Sequence, residues 1–268
     1  MLRALQHVML LMWIQALVVN AVLIGLAQRT PLLTTRGWIH AAALGTMLWG
    51  SLGWRGWSAV VVYLVLGSVV TRIGFRNKQS RGLAEAREGR RGPENVWGSA
   101  AVGAGLALAL AASPQDAIVW RQLLLIGFSA SFAAKLADTF GSEIGKRWGR
   151  TTLLITTLRP VSPGTDGAIS LEGTAASAVG SAVMTFALWG LSSPELPLIP
   201  NASAAGLVMV VGLLATLAES VLGAVVQNRV GWLSNELINA LQTLLAAGLA
   251  MAWAALASHL VLPSVAGI

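Results

Sequence analysis

Long apolar runs alternate with short polar stretches along the whole chain, at residues 5–27, 37–52, 56–71, 96–112, 117–137, 170–191, 204–226 and 238–262. Each is too long for an ordinary strand and close to the roughly twenty residues a helix needs to cross a bilayer. The pattern predicts an all-α fold, a polytopic transmembrane helical bundle of about seven to eight spans, forming one integral-membrane domain over residues 1–268. The second and third runs are short. They predict either a tight hairpin around "GWRGW" or one long tilted helix with an interfacial piece. The first run is longer than a signal-peptide core and lacks a small-residue cleavage site before Arg29, so it is expected to be retained as a span.

Composition agrees. The chain is 55% hydrophobic and 11% charged, against about 25% charged in soluble domains, which leaves no length for a large soluble domain. With no cysteine, disulfides, thiolate metal sites and cysteine nucleophiles are excluded. His7, His40 and His259 lie far apart in apolar segments, a pattern expected of packing residues and not of a zinc site. There is no G-x-x-x-x-G-K-[ST] loop and no basis for a Ser–His–Asp set.

Charge then adds direction. On an eight-span layout, fifteen of the 18 lysines and arginines fall on one side, and only Arg3, Arg55 and Arg121 on the other. The rich side is expected to be cytoplasmic, with both termini outside. The net charge of +7 is accounted for by this anchoring pattern, and nucleic acid is not an expected partner. The acids were not used to set the orientation, yet all but Asp116 and Glu195 fall on or near the same face. A mixed-charge site at the cytoplasmic membrane surface follows, built from segments 72–95 and 138–169 read as loops. Glu85 and Glu88 are adequately explained as solvated loop residues. Asp138, Glu172 and Glu219 are not, because they lie at or inside apolar segments.

Three stretches carry candidate chemistry. In "SFAAKLADTFGSEIGKRWG", Lys135 and Asp138 share a helix face, as do Asp138 and Ser142. Glu143 lies about 140° around from Asp138 on a straight helix. The two carboxylates meet one ion only if the chain bends, which Gly141 and Gly145 permit. A bent segment suits Mg²⁺ (or Mn²⁺) on a polyphosphate. A straight one suits a local Lys135–Asp138 ion pair. From spacing, both readings stand. In "TTLRPVSPGTDGAISLEGT", Gly164 and Gly167 flank Thr165 and Asp166 in a turn whose N–H groups suit an anion. Arg159 precedes that turn. The basic segment 72–99 offers Lys78, Arg81, Arg90 and Arg91 either to phosphate or to anionic headgroups. Further on, Glu219, Gly223 and Gln227 share one face, Ser220 lies beside Glu219, and Asn235 and Asn239 share another face. These polar residues suit either a cation site or an interhelical hydrogen-bond network.

"KLADTFGSEIG", "PGTDGAISLEGT", "ESVLGAVVQ" and "NELIN", in that order, resemble the integral-membrane family that includes phytyl-phosphate kinase and transmembrane protein 19. The likeness runs from about residue 40 to the C-terminus. Ala137, Asp138, Thr139, Ser142, Glu143 and Gly145 match A-D-T-x-x-S-E-x-G. Gly164, Thr165, Asp166, Gly167, Ser170 and Gly173 match G-T-D-G-x-x-S-x-x-G. Lys78, Gly82, Arg91 and Asn95 match the basic loop. Glu219 replaces the aspartate of D-S-x-x-G-x-x-x-Q, which keeps a carboxylate on a longer arm.

The resemblance implies transfer of a phosphoryl group from a nucleoside triphosphate, CTP preferred, to phytyl phosphate. The product is phytyl diphosphate, made in phytol salvage for tocopherol and phylloquinone. It implies Lys135, Asp138 and Glu143 as catalytic, and Asp138, Glu143, Asp166 and Glu219 as metal ligands. Lys78, Arg81, Arg91, Ser142, Arg159, Gly164, Thr165 and Gly167 would meet phosphates, with Ser220, Gln227, Asn235 and Asn239 in support. The expected partners are nucleotide, prenyl phosphate and membrane lipid. The expected home is a bacterial or cyanobacterial membrane or a plastid envelope. A prenyl-alcohol kinase, a cytidylyltransferase and a transporter of an ion or phosphorylated lipid are the alternatives.

Overall fold

A computed structural model describes residues 2–227, 230 and 232–258, excepting the side chains of residues 2–9 and Gln227. The helices are α1 (Leu2–Ala27), α2 (Thr35–Arg72), α3 (Phe75–Ser80), α4 (Pro93–Ala112), α5 (Ile118–Trp148), α6 (Leu171–Leu191), α7 (Ala202–Leu222) and α8 (Asn235–Leu256). Between α5 and α6, β1 (Leu153–Leu154) and β2 (Ala168–Ile169) pair antiparallel, with Leu153 opposite Ile169. A single π-helical turn, Gly223–Gln227, prolongs α7. Seven of the described helices are long and apolar enough to cross a membrane. Their outer faces expose Leu17, Val65, Phe186, Val210, Leu244 and Trp253, as expected where hydrocarbon is the solvent. His259 and the end of the predicted 238–262 span lie outside the described residues, as does Arg229.

Helix α2 is two antiparallel helices. Its one non-helical residue is Gly53, at φ 66° and ψ −169°, a conformation open to glycine and strained for other residues. Gly37 and Gly67 would stand about 45 Å apart on a straight helix, yet both abut Arg91. A Cβ on Gly37 would meet the Arg91 carbonyl oxygen and one on Gly67 would lie 2.8 Å from Arg91 Nη2. The Trp49 and Trp57 rings, 5.2 Å between centroids, close the turn. The hairpin reading of "GWRGW" holds and the single tilted helix does not, giving eight crossings. Helix α1 packs on this hairpin, with Asn20 against Gly45 of the first arm and its Oδ1 accepting from Trp57 Nε1 of the second arm at 2.9 Å.

Helix α5 is the axis, packed by α2, α4, α6, α7 and α8. Every residue from Leu124 to Ala137 is buried. Alanine, serine and glycine dominate this stretch, so neighbouring backbones approach closely. The tightest seam is with α6. A Cβ on Gly173 would lie 2.9 Å from the Gly141 carbonyl, and one on Gly180 would lie 2.8 Å from the Leu136 carbonyl. Polar pins add to this packing. Gln242 Nε2 donates to the Ala134 carbonyl and to Thr216 Oγ1, each at 3.1 Å. Gly173→Val forces the seam apart and is expected to cost about 1–3 kcal/mol, read as a lower thermal midpoint in detergent micelles.

Two expectations about segment 138–169 need correction. It is not a loop throughout, because α5 continues unbroken to Trp148. Gly141 and Gly145 do not bend it either. They face α6, where Ser177, Gly173 and Ser170 fill the space a side chain would take.

Candidate functional site

Helix ends and connecting segments gather at one end of the bundle around a polar cavity of about 350 Å³. It is walled by α5 from Lys135 to Lys146, the starts of α4, α6 and α8, the end of α7, and the 85–91 and 163–169 segments. Of the residues predicted from sequence, Arg91, Lys135, Asp138, Ser142, Glu143, Gly164, Thr165, Asp166, Gly167, Glu219, Ser220, Asn235 and Asn239 all line it. Segments far apart in sequence, from Thr71 to Asn239, therefore meet.

Lys135 is buried and donates to Asp138 Oδ2 at 2.6 Å. The local ion pair is thus present, and Asp138 still faces the cavity. The Asp166 turn reaches the same space because Gly167, at φ 74°, lies against α7. A Cβ there would be 2.5 Å from the Ser220 carbonyl. Neither Asp166 nor Glu219 has a side-chain hydrogen bond or ion pair among the described residues. The Asp166 and Gly167 amides likewise have no backbone acceptor among them.

The continuous helix sets Asp138 and Glu143 about 140° apart around its axis, without the bend that a shared ion requires. Glu143 is 2% exposed and pairs with Lys78, while Lys146 stands 3.6 Å from its other oxygen. Lys78 is fully buried, also donates to the Thr71 carbonyl at 2.8 Å, and is absent from the cavity wall. Its assignment to phosphate gives way to a structural role, locking α3 against the end of α5. Arg81 and Arg159 also lie off the wall. Arg81 Nη1 donates to the Lys146 carbonyl at 3.2 Å, and Arg159 is exposed beside the β1–β2 pair. Gln227's side chain lies outside those described.

Several wall residues escaped the sequence reading. Ser99 and Thr216 sit inside apolar runs, where they resemble packing residues. Glu85, read there as a solvated loop acid, joins Lys146 at 2.9 Å and holds segment 85–91 over the cavity. Partial burial pushes its carboxyl up, and the Lys146 ammonium outweighs that, leaving its pKa below the usual 4.5. A depressed carboxylate contributes its stability above the unfolded pKa and loses it as pH falls through the folded one. Lower amide protection in residues 83–90, after correction for the intrinsic pH dependence of exchange, is therefore expected below about pH 4. Unchanged protection down to pH 3 would remove this latch.

The donors facing the cavity are carboxylate and hydroxyl oxygens, which suit a hard cation. Among the described residues, no three carboxylates or histidines cluster at metal-binding distances. That arrangement matches Mg²⁺ completed by water and phosphate oxygens and not an all-protein cage. One or two of Asp138, Asp166 and Glu219 would meet that requirement.

Fold and cavity together define a polytopic membrane protein with a charged site at one end of its helical bundle. Residues 18–247 match the family described as integral membrane protein DUF92, and the chain belongs to that family, as its motifs indicate. It is 44% identical over 241 residues to the uncharacterized membrane protein sll0875 of Synechocystis, covering 89% of this chain and 90% of that one. It is 37% identical over 219 residues to the chloroplastic protein VTE6 of Arabidopsis thaliana, covering 78% of this chain and 63% of that protein. Membrane protein MJ0933 of Methanocaldococcus jannaschii is 28% identical over 230 residues, covering 85% and 89% respectively. No solved structure matches the chain.

Proposed function

We propose that this protein is a membrane-embedded isoprenyl-phosphate kinase, transferring the γ-phosphoryl of a nucleoside triphosphate, CTP preferred, to phytyl phosphate. The observation that carries the reading is the cavity itself. Free carboxylates (Asp166, Glu219), a paired one (Asp138) and cations (Arg91, Lys135) from four separate segments converge at one end of the helical bundle. The motif resemblance and the plastid and cyanobacterial relatives support it.

A phosphate oxygen of the lipid attacks the γ-phosphorus. A new P–O bond forms, the β–γ bridging bond breaks, and the nucleoside diphosphate leaves with its electrons. The acceptor is already anionic and needs no strong general base, and no histidine lines the cavity among the described residues. Catalysis then rests on positioning and charge stabilisation. One or two of Asp138, Asp166 and Glu219 would hold a divalent cation, which would supply charge neutralisation on the triphosphate oxygens. Lys135, fixed by Asp138, and Arg91 would orient and neutralise phosphates. The 164–167 turn offers backbone N–H groups to an anion. The rich-in-cation end would face the cytoplasm or stroma.

Product analysis separates this reading from its rivals. Purified protein with prenyl monophosphates of several lengths, crossed with CTP, UTP, GTP and ATP, is expected to release a nucleoside diphosphate and form a prenyl diphosphate. Pyrophosphate release would instead indicate a cytidylyltransferase. Turnover only on a free alcohol would indicate an alcohol kinase.

A further inference from the structure

We propose that the inner end of the cavity, formed by Arg91, Lys135 and Asn239, seats the phosphomonoester of the lipid acceptor, leaving the outer end to the nucleotide. This rests on the transfer reading above and divides its site into two subsites.

Depth separates the two ends. Helix α5 has 31 residues, about 46 Å of helix against a hydrocarbon core of about 30 Å. Measured from Ile118, about twenty residues use up that thickness, so Asp138 sits at its edge and Lys135 about 4 Å inside. Ser99 lies about 9 Å inward from the start of α4, Asn239 about 6 Å inward from the start of α8, and Thr216 about 9 Å inward from the end of α7. The outer end is made by Glu85–Arg90, Thr152 and the 163–168 turn. A soluble nucleotide arrives from the water side. A prenyl chain loses about 0.8 kcal/mol for each CH₂ drawn out of hydrocarbon, so its phosphate is held most cheaply at the inner end.

At the inner end Lys135 is already paired with Asp138, and Arg91 is the cation left over for an anion. Arg91 has no carboxylate partner among the described residues. Its Nη1 donates to the Tyr63 hydroxyl, which is 3.0 Å from Ser99 Oγ, and its guanidinium carbon lies 5.0 Å from the Tyr63 ring centroid. That clamp fixes the guanidinium, and its other N–H groups have no side-chain or backbone acceptor among the described residues. Gly67 provides the room, with Arg91 Nη2 and Thr139 Cγ2 both within 4 Å of where its Cβ would be. Thr139 in turn donates to the Lys135 carbonyl at 3.0 Å, placing both cations along one wall. Asn239 is the independent sign. It is 7% exposed and lines the cavity, yet its amide has no partner among the described residues. The amide is therefore held by a nearly buried residue yet opens onto the cavity, where its NH₂ is available to donate to a phosphate oxygen. The N-termini of α4 and α8 add their positive dipole ends. Guanidinium, ammonium and amide donors together match a phosphomonoester and not a free alcohol.

The test uses purified full-length protein in detergent, with dodecyl phosphate as probe and dodecanol and inorganic phosphate as controls. Dodecyl phosphate is expected to raise the thermal midpoint well above either control. Asn239→Ala should unfold at the wild-type temperature without ligand, since nothing in the chain bonds to that amide, and should bind dodecyl phosphate about tenfold more weakly. Arg91→Gln should weaken binding at least as much. In the transfer assay both variants should raise KM for the prenyl phosphate and leave KM for the nucleotide unchanged. Raised nucleotide KM, equal stabilisation by dodecanol, or a lowered midpoint for unliganded Asn239→Ala would each overturn the subsite. If wild-type protein binds dodecyl phosphate through Asn239 but transfers nothing, the subsite stands and the kinase reading falls.

Discussion

Lys78→Met will destabilise the protein by about 3–5 kcal/mol, and adding Glu143→Leu will restore most of that loss. The single change strands a carboxylate that is 2% exposed at the edge of the bundle. Lys146, 3.6 Å from its other oxygen, places the cost toward the lower end of the range. The double change removes both charges, and replacing a buried pair by apolar groups of similar volume is often neutral. A double-mutant cycle of thermal midpoints in detergent gives the coupling directly. Additive losses would mean that the two residues act separately. The double variant should also keep its transfer activity, because neither residue is assigned to phosphate. Complete loss of transfer in a stably folded double variant would return Lys78 or Glu143 to the chemistry.

Asp138→Asn will lower kcat by about 10²–10³-fold, the usual scale for removing one electrostatic stabiliser of a transition state, and will leave a folded protein. Asparagine is nearly the same size and still offers an acceptor to Lys135 Nζ, which now bonds Asp138 at 2.6 Å. It cannot supply the negative charge that a cation requires. The substitution therefore separates the two readings that sequence spacing leaves equal. An Asp138 that only neutralises Lys135 predicts a lower midpoint with transfer within a few-fold of wild type. An Asp138 that faces a bound cation predicts lost transfer and a raised Mg²⁺ requirement in whatever activity remains.

What the sequence reveals divides along physical lines. Apolar runs mark the spans because lipid tolerates little else, and glycine beside tryptophan marks the α2 turn because only glycine adopts Gly53's backbone easily. The extension of α5 past Asp138 is hidden. "DTFGSEIGKRW" has the charges and glycines of a loop, and its glycines read as breakers. They are a packing face, which shows only once α6 is laid against them. The Lys78–Glu143 pair spans 65 residues, and no local pattern joins its members. The carboxylates and turn that line the cavity are legible as motifs. Which of the basic residues enter it is not, because Arg91 does so only where the α2 hairpin places Gly67 beside it, while Arg81 and Arg159 turn outward.

The most direct test of the central claim follows the label from γ-³²P-CTP in a single turnover with purified protein, Mg²⁺ and phytyl phosphate. The account predicts that the label moves to a lipid-soluble diphosphate as CDP forms in equal amount, and that Asp138→Asn slows this by about 10²–10³-fold in protein that is still folded. Label released as inorganic phosphate without lipid product, or lipid-independent nucleotide turnover, would contradict it.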